Sequence, residues 1–366
     1  MNLANQKFGL QEKLVELLNV KETPSDSILV PNDEPQSAEK LRIQIKDDIK
    51  NAILELKQMH LDKKLILALE KRLHKGADFI RYQKQFRSLG LFVSNNTLEV
   101  IYLPVMIEHK VIVDHSFEIR DILLSVNRTF HYDVLLLNKK KTRFFNGFGQ
   151  NLQELDSSDI PSGVDEYFNK EKSSGGDTSK KDLIATQHYI KALDYFLRVH
   201  TSPSIPLILI GDVKLLSYFK KYTRKPVKVL GEIQGSFHRE NLLEIKQIIQ
   251  PSLKDFQEKW ENQLIESMKD EINHLRYVSG IQEVWEAAAM NEARILILEK
   301  GYKQEGYSTQ NGLFFVFDQK YAPQGQYRED AVDDIIEMVL GQGGESYFVA
   351  PGKLKAFDRI FLNTRY

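Results

Sequence analysis

"IPLILIG", residues 205–211, runs seven residues without a polar side chain and is bracketed by Pro206 and Gly211. It is too short for a helix, and it lacks the alternation of a strand with one wet face. Such a run fits a strand buried on both sides in a parallel sheet. Upstream, Leu183, Ile190, Leu193 and Leu197 fall on one stripe of a long helix beginning near Thr178. Downstream, a helix over 212–222 and the strand "PVKVLG", 226–231, repeat the alternation. Further upstream, "YDVLLLNKKKTRFFNG", 132–147, reads as two strands joined by a basic turn at Lys139, Lys140 and Lys141. Residues 148–177 read as polar loop. The spacing predicts an α/β domain.

The flanks differ in character. Before the centre, "ETPSDSILVPNDEPQ", 22–36, is loop around one short strand, and an amphipathic helix precedes it. Helices follow at 38–58 and 62–75, the first with Leu41, Ile45, Ile49 and Ile53 four residues apart. "LGLFVSNNTLEVIYLP" alternates and breaks at Asn95-Asn96, which predicts a hairpin whose turn uses left-handed asparagines. "KVIVDHSF" adds a strand and completes an α+β unit. Beyond the centre, a helix over 238–276 passes Pro251, a boundary or kink. Helix "IQEVWEAAAM", strands "ARILILE" and "GLFFVFD", helix "REDAVDDIIEMVL" and strands "SYFVA" and "RIFLN" follow. Gly341 and Gly343-Gly344 stand where a helix needs a left-handed cap. The fold class is α/β and α+β in three domains: 1–128 α+β, 129–250 a central RNase-H-like α/β domain, and 251–366 a small α/β sandwich.

With 42% hydrophobic and 28% charged residues the chain has the composition of a globular protein, and it holds no cysteine. Disulfides, thiolate metal sites and cysteine nucleophiles are excluded together. No apolar run is long enough for a bilayer, and the N-terminus lacks the pattern of a signal peptide, so the cytoplasm is the expected address. The net charge of −1 hides an asymmetry, with a basic middle and an acidic C-terminal third. A basic middle suits a phosphate-rich partner.

The usual enzyme constellations are missing. "GFG" at 147–149 follows a strand, but Leu152 stands where a dinucleotide fingerprint needs glycine. Phosphate-cradling and His-Glu-x-x-His motifs are absent, and no metal or cofactor is expected. Asp333, Asp334 and Glu337 share an amphipathic helix and read as a solvated face. Asp133, heading a strand, has no evident partner acids for a nuclease site. What remains is "EKSSGGDTSKKDL", 171–183, in which Gly175-Gly176 allows close backbone approach and Lys180-Lys181 adds charge. Thr178 or Ser179 suits an N-cap, and Ser179-x-x-Asp182 resembles a capping box. Taken locally, a linker ending in a helix cap explains these residues best.

The order of these elements carries more information. Gly-Gly-Asp precedes the long helix, then come "PLILIGD", "KVLG" and a long connecting helix. "YVSGIQEVWEAAAMNEARILILEKGY" and "GGESYFVAPGKLKAFDRIFLNTRY" close the chain. This order resembles the three-domain proteins related to archaeal and eukaryotic class-I release factors and Pelota, above all their bacterial homologues, which include the hibernation factor Balon. In release factors the corresponding loop carries Gly-Gly-Gln and positions water on the peptidyl-tRNA ester. Here Gly175 and Gly176 match and Asp177 replaces the glutamine. An ionised carboxylate cannot donate a hydrogen bond, and it brings negative charge toward a developing oxyanion. The resemblance therefore implies a binding loop without the catalytic tip, not an enzyme. The stop-codon-reading motifs of the first domain are absent, which speaks against codon recognition.

The implied reading is a ribosome-binding factor at the aminoacyl-tRNA site, acting in hibernation or stress protection. Lys139, Lys140, Lys141, Gly175, Gly176, Asp177, Lys180 and Lys181 would meet ribosomal RNA, and the C-terminal domain a translational GTPase such as elongation factor Tu. Pelota-like rescue of stalled ribosomes is the alternative, and a peptidyl-tRNA esterase or RNase-H-like nuclease a third.

Overall fold

The structure, a computed structural model, describes residues 4–20, 22–32, 38–59, 61–82, 86–171, 178–202, 205–224, 228–237, 240–274 and 276–365. It is a mixed α/β chain that separates by contacts into two units. One holds Thr129–Lys259 with residues up to Gln6, and the other holds Lys7–Arg128 with Trp260–Tyr366. The division into domains at 128 and 250 remains a proposal about folding units. The long helix Leu242–Asn273 passes Pro251 unbroken, so that proline ends no element.

The second unit begins within α1 (Ala4–Leu18), at Lys7, and continues with β1 (Ser25–Pro31), α2 (Ala38–Gln58) and α3 (Lys63–Phe79). β2 (Ser88–Val93), β3 (Leu98–Leu103), β4 (Lys110–Asp114) and α4 (Arg120–Arg128) follow. Its first sheet is antiparallel in the order β3-β2-β1-β4. The four-residue stripe of α2 is buried as expected, and it packs with Leu69 and Leu73 of α3 on Ile28 and Val30 of β1. The hairpin at Asn95-Asn96 forms, but neither asparagine is left-handed. The Glu22 carboxylate holds the turn instead, accepting from Ser94 Oγ at 2.5 Å, Asn96 N at 2.7 Å and Asn96 Nδ2 at 2.7 Å. Burial raises the Glu22 pKa, but these bonds outweigh it and leave it below the usual carboxylate range.

The central unit consists of β5 (His131–Leu136), β6 (Arg143–Phe148), β7 (Asn151–Glu154), α5 (Val164–Glu171) and α6 (Thr178–His200). It continues through β8 (Leu207–Gly211), α7 (Val213–Tyr222), β9 (Val229–Gln234) and the first part of α8 (Leu242–Asn273). The sheet order is β7-β6-β5-β8-β9, antiparallel among the first three strands and parallel from β5 to β9. β8 is the doubly buried parallel strand read from "IPLILIG", with Leu207 and Leu209 facing α6 and α7, and Ile208 and Ile210 facing α8. The expected polar loop 148–177 is not all loop, because β7 and α5 lie within it. β7 exists because Gly149, at φ 57°, turns the chain back onto β6.

The rest of the second unit comprises β10 (Tyr277–Ser279), α9 (Ile281–Ala289), β11 (Ala293–Glu299) and three short strands, β12 (Gly306–Ser308), β13 (Phe315–Val316) and β14 (Gln326–Arg328). α10 (Ala331–Gly341), β15 (Glu345–Val349) and β16 (Ile360–Thr364) complete it. The sheet β10-β16-β11-β15 has the end of α8 on one face, through Met268 against Ile297 and Phe361. Just after α10 the left-handed Gly343, φ 73°, caps the helix, its N–H and that of Gly344 reaching Leu340 O and Val339 O, whereas Gly341 is the last helical residue and is not left-handed. "GLFFVFD" contributes only the two-residue β13, and β12 and β14 were not legible as strands.

Asp333, Asp334 and Glu337 do not form a solvated face. Arg120 Nε lies 2.6 Å from Asp333 and Arg328 Nη1 3.4 Å from Asp334, while Ser116 Oγ donates to Glu337 at 2.6 Å. The polar face of α10 is turned onto α4 and the segment leading into it, a contact between residues more than two hundred positions apart. No helix among the described residues is long and apolar enough to cross a membrane.

Candidate nucleic-acid interface

The carboxyl ends of parallel strands are where open α/β sheets gather their binding residues. β5 and β8 pair in parallel with Leu136 opposite Ile210, so both end on one edge of the central sheet. The turn carrying Lys139, Lys140 and Lys141 leaves β5 at that edge, and α7 starts there after β8.

The turn backbone is fastened on several sides. Leu137 N donates to Ile210 O at 2.7 Å. The buried Asn138 donates through Nδ2 to Phe237 O at 2.9 Å and accepts from Lys140 N at 2.8 Å. Lys139 O accepts from Asp165 N at 2.9 Å, and Thr142 N donates to Ser162 O. Gly163 lies against this turn, and a Cβ there would stand 2.4 Å from Lys139 O. Thr142 Oγ1 and the Tyr189 hydroxyl of α6 are 2.6 Å apart, and burial pushes the Tyr189 pKa up. All three lysines nonetheless remain exposed. A rigid backbone presenting mobile ammonium groups suits phosphate contact without base selection.

α6 delivers the second pair. Lys180 is exposed and Lys181 half-buried in its first turn. Asp182, one residue on, accepts from Lys214 Nζ of α7 at 2.9 Å, which ties the start of α6 to the edge where β8 ends. That hydrogen bond, with the charge behind it, raises the Lys214 pKa. Lys139, Lys140, Lys141, Lys180 and Lys181 thus belong to one end of one sheet. Lys214 joins them, a residue the sequence reading missed; its only signal was its place after a buried parallel strand. Thr178 and Ser179, the expected N-cap candidates, are helical in the first turn of α6. Gly175, Gly176 and Asp177 lie outside the described residues.

The other candidates are structural. Gly147 faces the Tyr132 ring, which a Cβ would approach to 2.2 Å, and Gly149 makes the β6–β7 turn. Asp133 is buried and accepts from Asn146 Nδ2 at 2.8 Å. Arg143 makes a two-bond contact with Glu154 at 2.7 and 2.6 Å. Among the described residues no group of His, Asp and Glu could hold a metal ion.

Residues 131–291, from β5 through α9, match the family model described as Bacterial archaeo-eukaryotic release factor family 3. Over this segment the chain is similar to that family. No curated protein matches the sequence. Among solved structures, an archaeal translation termination factor, aRF1, aligns at 14% identity over 99% of this chain and 98% of its own, with a TM-score of 0.26. Archaeoglobus fulgidus Pelota aligns at 12% over 74% and 77%, with a TM-score of 0.41. A model of ribosome-bound archaeal Pelota and ABCE1 aligns at 11% over 97% and 94%, with a TM-score of 0.39. At such identities and scores these three add no argument, and the similarity to the family is confined to residues 131–291.

Proposed function

We propose that this protein is a non-catalytic translation factor that occupies the aminoacyl-tRNA site of the ribosome in hibernation or stress protection. One observation carries the reading: a segment related to the release factors holds Gly175-Gly176-Asp177 where their tripeptide ends in glutamine. Losing one well-placed donor to a developing oxyanion typically costs ~10²–10³ in rate. The loop therefore acts by binding, and the lysine edge beside it supplies charge for ribosomal RNA. The acidic C-terminal third suits a protein partner, a translational GTPase such as elongation factor Tu.

Sedimentation with vacant and with translating ribosomes tests this. Association with vacant ribosomes is expected, and replacing Lys139, Lys140, Lys141, Lys180 and Lys181 with glutamate should weaken it and flatten its salt dependence. Association confined to stalled, messenger-loaded ribosomes, with subunit separation, moves the reading to Pelota-like rescue. Release of peptide from peptidyl-tRNA by the wild-type protein overturns the non-catalytic reading.

A further inference from the structure

The outer surface of the α6–α7 layer carries one sign of charge. Both helices bury one side on the central sheet, through Tyr189, Leu193 and Phe196 of α6 and Leu215, Leu216 and Phe219 of α7. On the other side, no Asp or Glu of either helix is exposed, while Lys180, His188, Lys191, Arg198, Lys214, Lys220 and Lys221 are, and the series continues into the exposed Arg224 just beyond α7. Of these, Lys220 is paired with Glu232 of β9 at 2.9 Å. The acids of this layer are turned in or engaged. Asp194 is buried and accepts from Thr223 Oγ1 at 2.6 Å, Asp182 is half-buried against Lys214, and Asp212 caps α7 through Leu215 N at 2.9 Å. The pattern stops at the neighbouring helix, since Asp165 and Glu166 of α5 are exposed. Between the cations stand Tyr195, 69% exposed, and Val199, 59% exposed, an aromatic and an aliphatic side chain left open among the described residues.

We propose that this two-helix face, continuous with the lysine edge at the start of α6 and extending away from it through Lys191, Arg198 and Lys221, is a second docking surface, for the sugar–phosphate backbone of a folded RNA. α6 alone extends it about 35 Å, at 1.5 Å per residue, enough to follow several phosphates. A one-sign surface repels basic ribosomal proteins and attracts a polyanion, and the exposed Tyr195 ring adds a stacking or ribose contact. The inference deepens the ribosome-binding reading, in that it names where a second RNA segment lies.

The test compares Lys191→Glu/Arg198→Glu/Lys221→Glu with Lys254→Glu/Lys259→Glu, whose exposed lysines lie on α8, on the opposite side of the sheet. Each full-length variant is titrated with deproteinised ribosomal RNA and with intact ribosomes across a salt series. Three lost phosphate contacts should reduce the logarithmic salt slope by about 2 to 3 and weaken binding roughly a hundredfold near 0.1 M salt, while the α8 variant stays close to wild type. Equal losses in both variants would reduce the effect to net charge and overturn the proposal. Weakened ribosome binding with unchanged binding to naked RNA would point to an acidic protein and also overturn it. If the wild type binds naked RNA through this face but no ribosome, the proposal stands and the ribosome reading falls. If ribosome binding responds to the five edge lysines and not to the helix face, only this proposal falls.

Discussion

Asp26→Asn should flatten the pH dependence of stability between about pH 5 and 7. Asp26 sits in the middle of the first sheet, in β1, opposite Val93 on one neighbour and Val113 on the other. Its relative exposure is 0%, and neither carboxylate oxygen has a hydrogen-bond partner among the described residues. By strand alternation it shares a face with Ile28 and Val30, which pack on α2 and α3. Burial, and then the charge of Glu55, pushes its carboxyl from 3.8 up to about 7. The folded protein therefore keeps a proton that the unfolded chain has lost. This group's contribution is fully present below about pH 4 and drains away as pH rises toward 7, at ~1.4 kcal/mol per pH unit. From pH 5 to 7 the loss is about 2–3 kcal/mol. An amide of the same shape cannot ionise, so the variant loses this slope. It carries instead a pH-independent cost of ~1–3 kcal/mol for an unpaired buried amide. The variant should be the less stable protein at pH 5 and draw level with or pass the wild type near pH 8. Urea unfolding followed by circular dichroism at four pH values measures the difference between the two proteins, in which all other titrating groups cancel. Two parallel curves would refute the reasoning, because they would mean that Asp26 ionises in the fold as readily as in water.

Arg120→Ala should destabilise the second unit by ~3–5 kcal/mol, since it removes one partner of a buried charge cluster. The guanidinium lies 2.6 Å from Asp333 and 3.1 Å from Asp330 and donates to Tyr302 O at 3.1 Å. Burial, Glu118 and Asp330 already push Asp333 up against the pull of Arg120 and Lys110, so adding Asp333→Asn should recover part of the loss; a change in thermal midpoint no larger than for a surface mutant would refute this. Gly163→Ala should displace the Lys139–Lys141 turn by its clash with Lys139 O and weaken ribosome binding, whereas Gly341→Ala, with open space around it, should leave binding unchanged. Asp177→Gln recreates the release-factor tripeptide. It should keep or slightly strengthen ribosome binding and show at most weak peptide release, because catalysis needs the whole loop placed to within about an ångström; strong release would show that aspartate alone withholds the activity.

What the sequence determined by itself is whatever local chain chemistry suffices to specify. A short apolar run, Leu207 to Ile210, between a proline and a glycine reads as a doubly buried strand, and β8 is one. The four-residue stripe of α2, the start of α6 at Thr178 and the left-handed Gly343 after α10 follow equally from periodicity, propensity and the lack of a Cβ. The lysines of the edge were legible as charge, though not as neighbours. Their meeting depends on the parallel pairing of β5 with β8 and on an ion pair between Asp182 and Lys214, thirty-two positions apart. Distance along the chain also hid the role of Glu22, whose carboxylate replaces the left-handed turn expected at Asn95-Asn96. The same holds for Asp333, since an acid on an amphipathic helix looks solvated until another element brings an arginine to it, here Arg120 from more than two hundred positions away. Asp334 meets Arg328 only six positions back, on the strand before the helix. The short strands β12 and β14 escaped notice, and β13 is only two residues of the expected strand "GLFFVFD", because two or three residues make no period. They exist through pairing with each other and through Trp285 Nε1 donating to Gly312 O at 2.9 Å. Periodicity is a property of consecutive residues, whereas partners for buried charge and short strands are supplied by the rest of the fold, and only tertiary structure selects them.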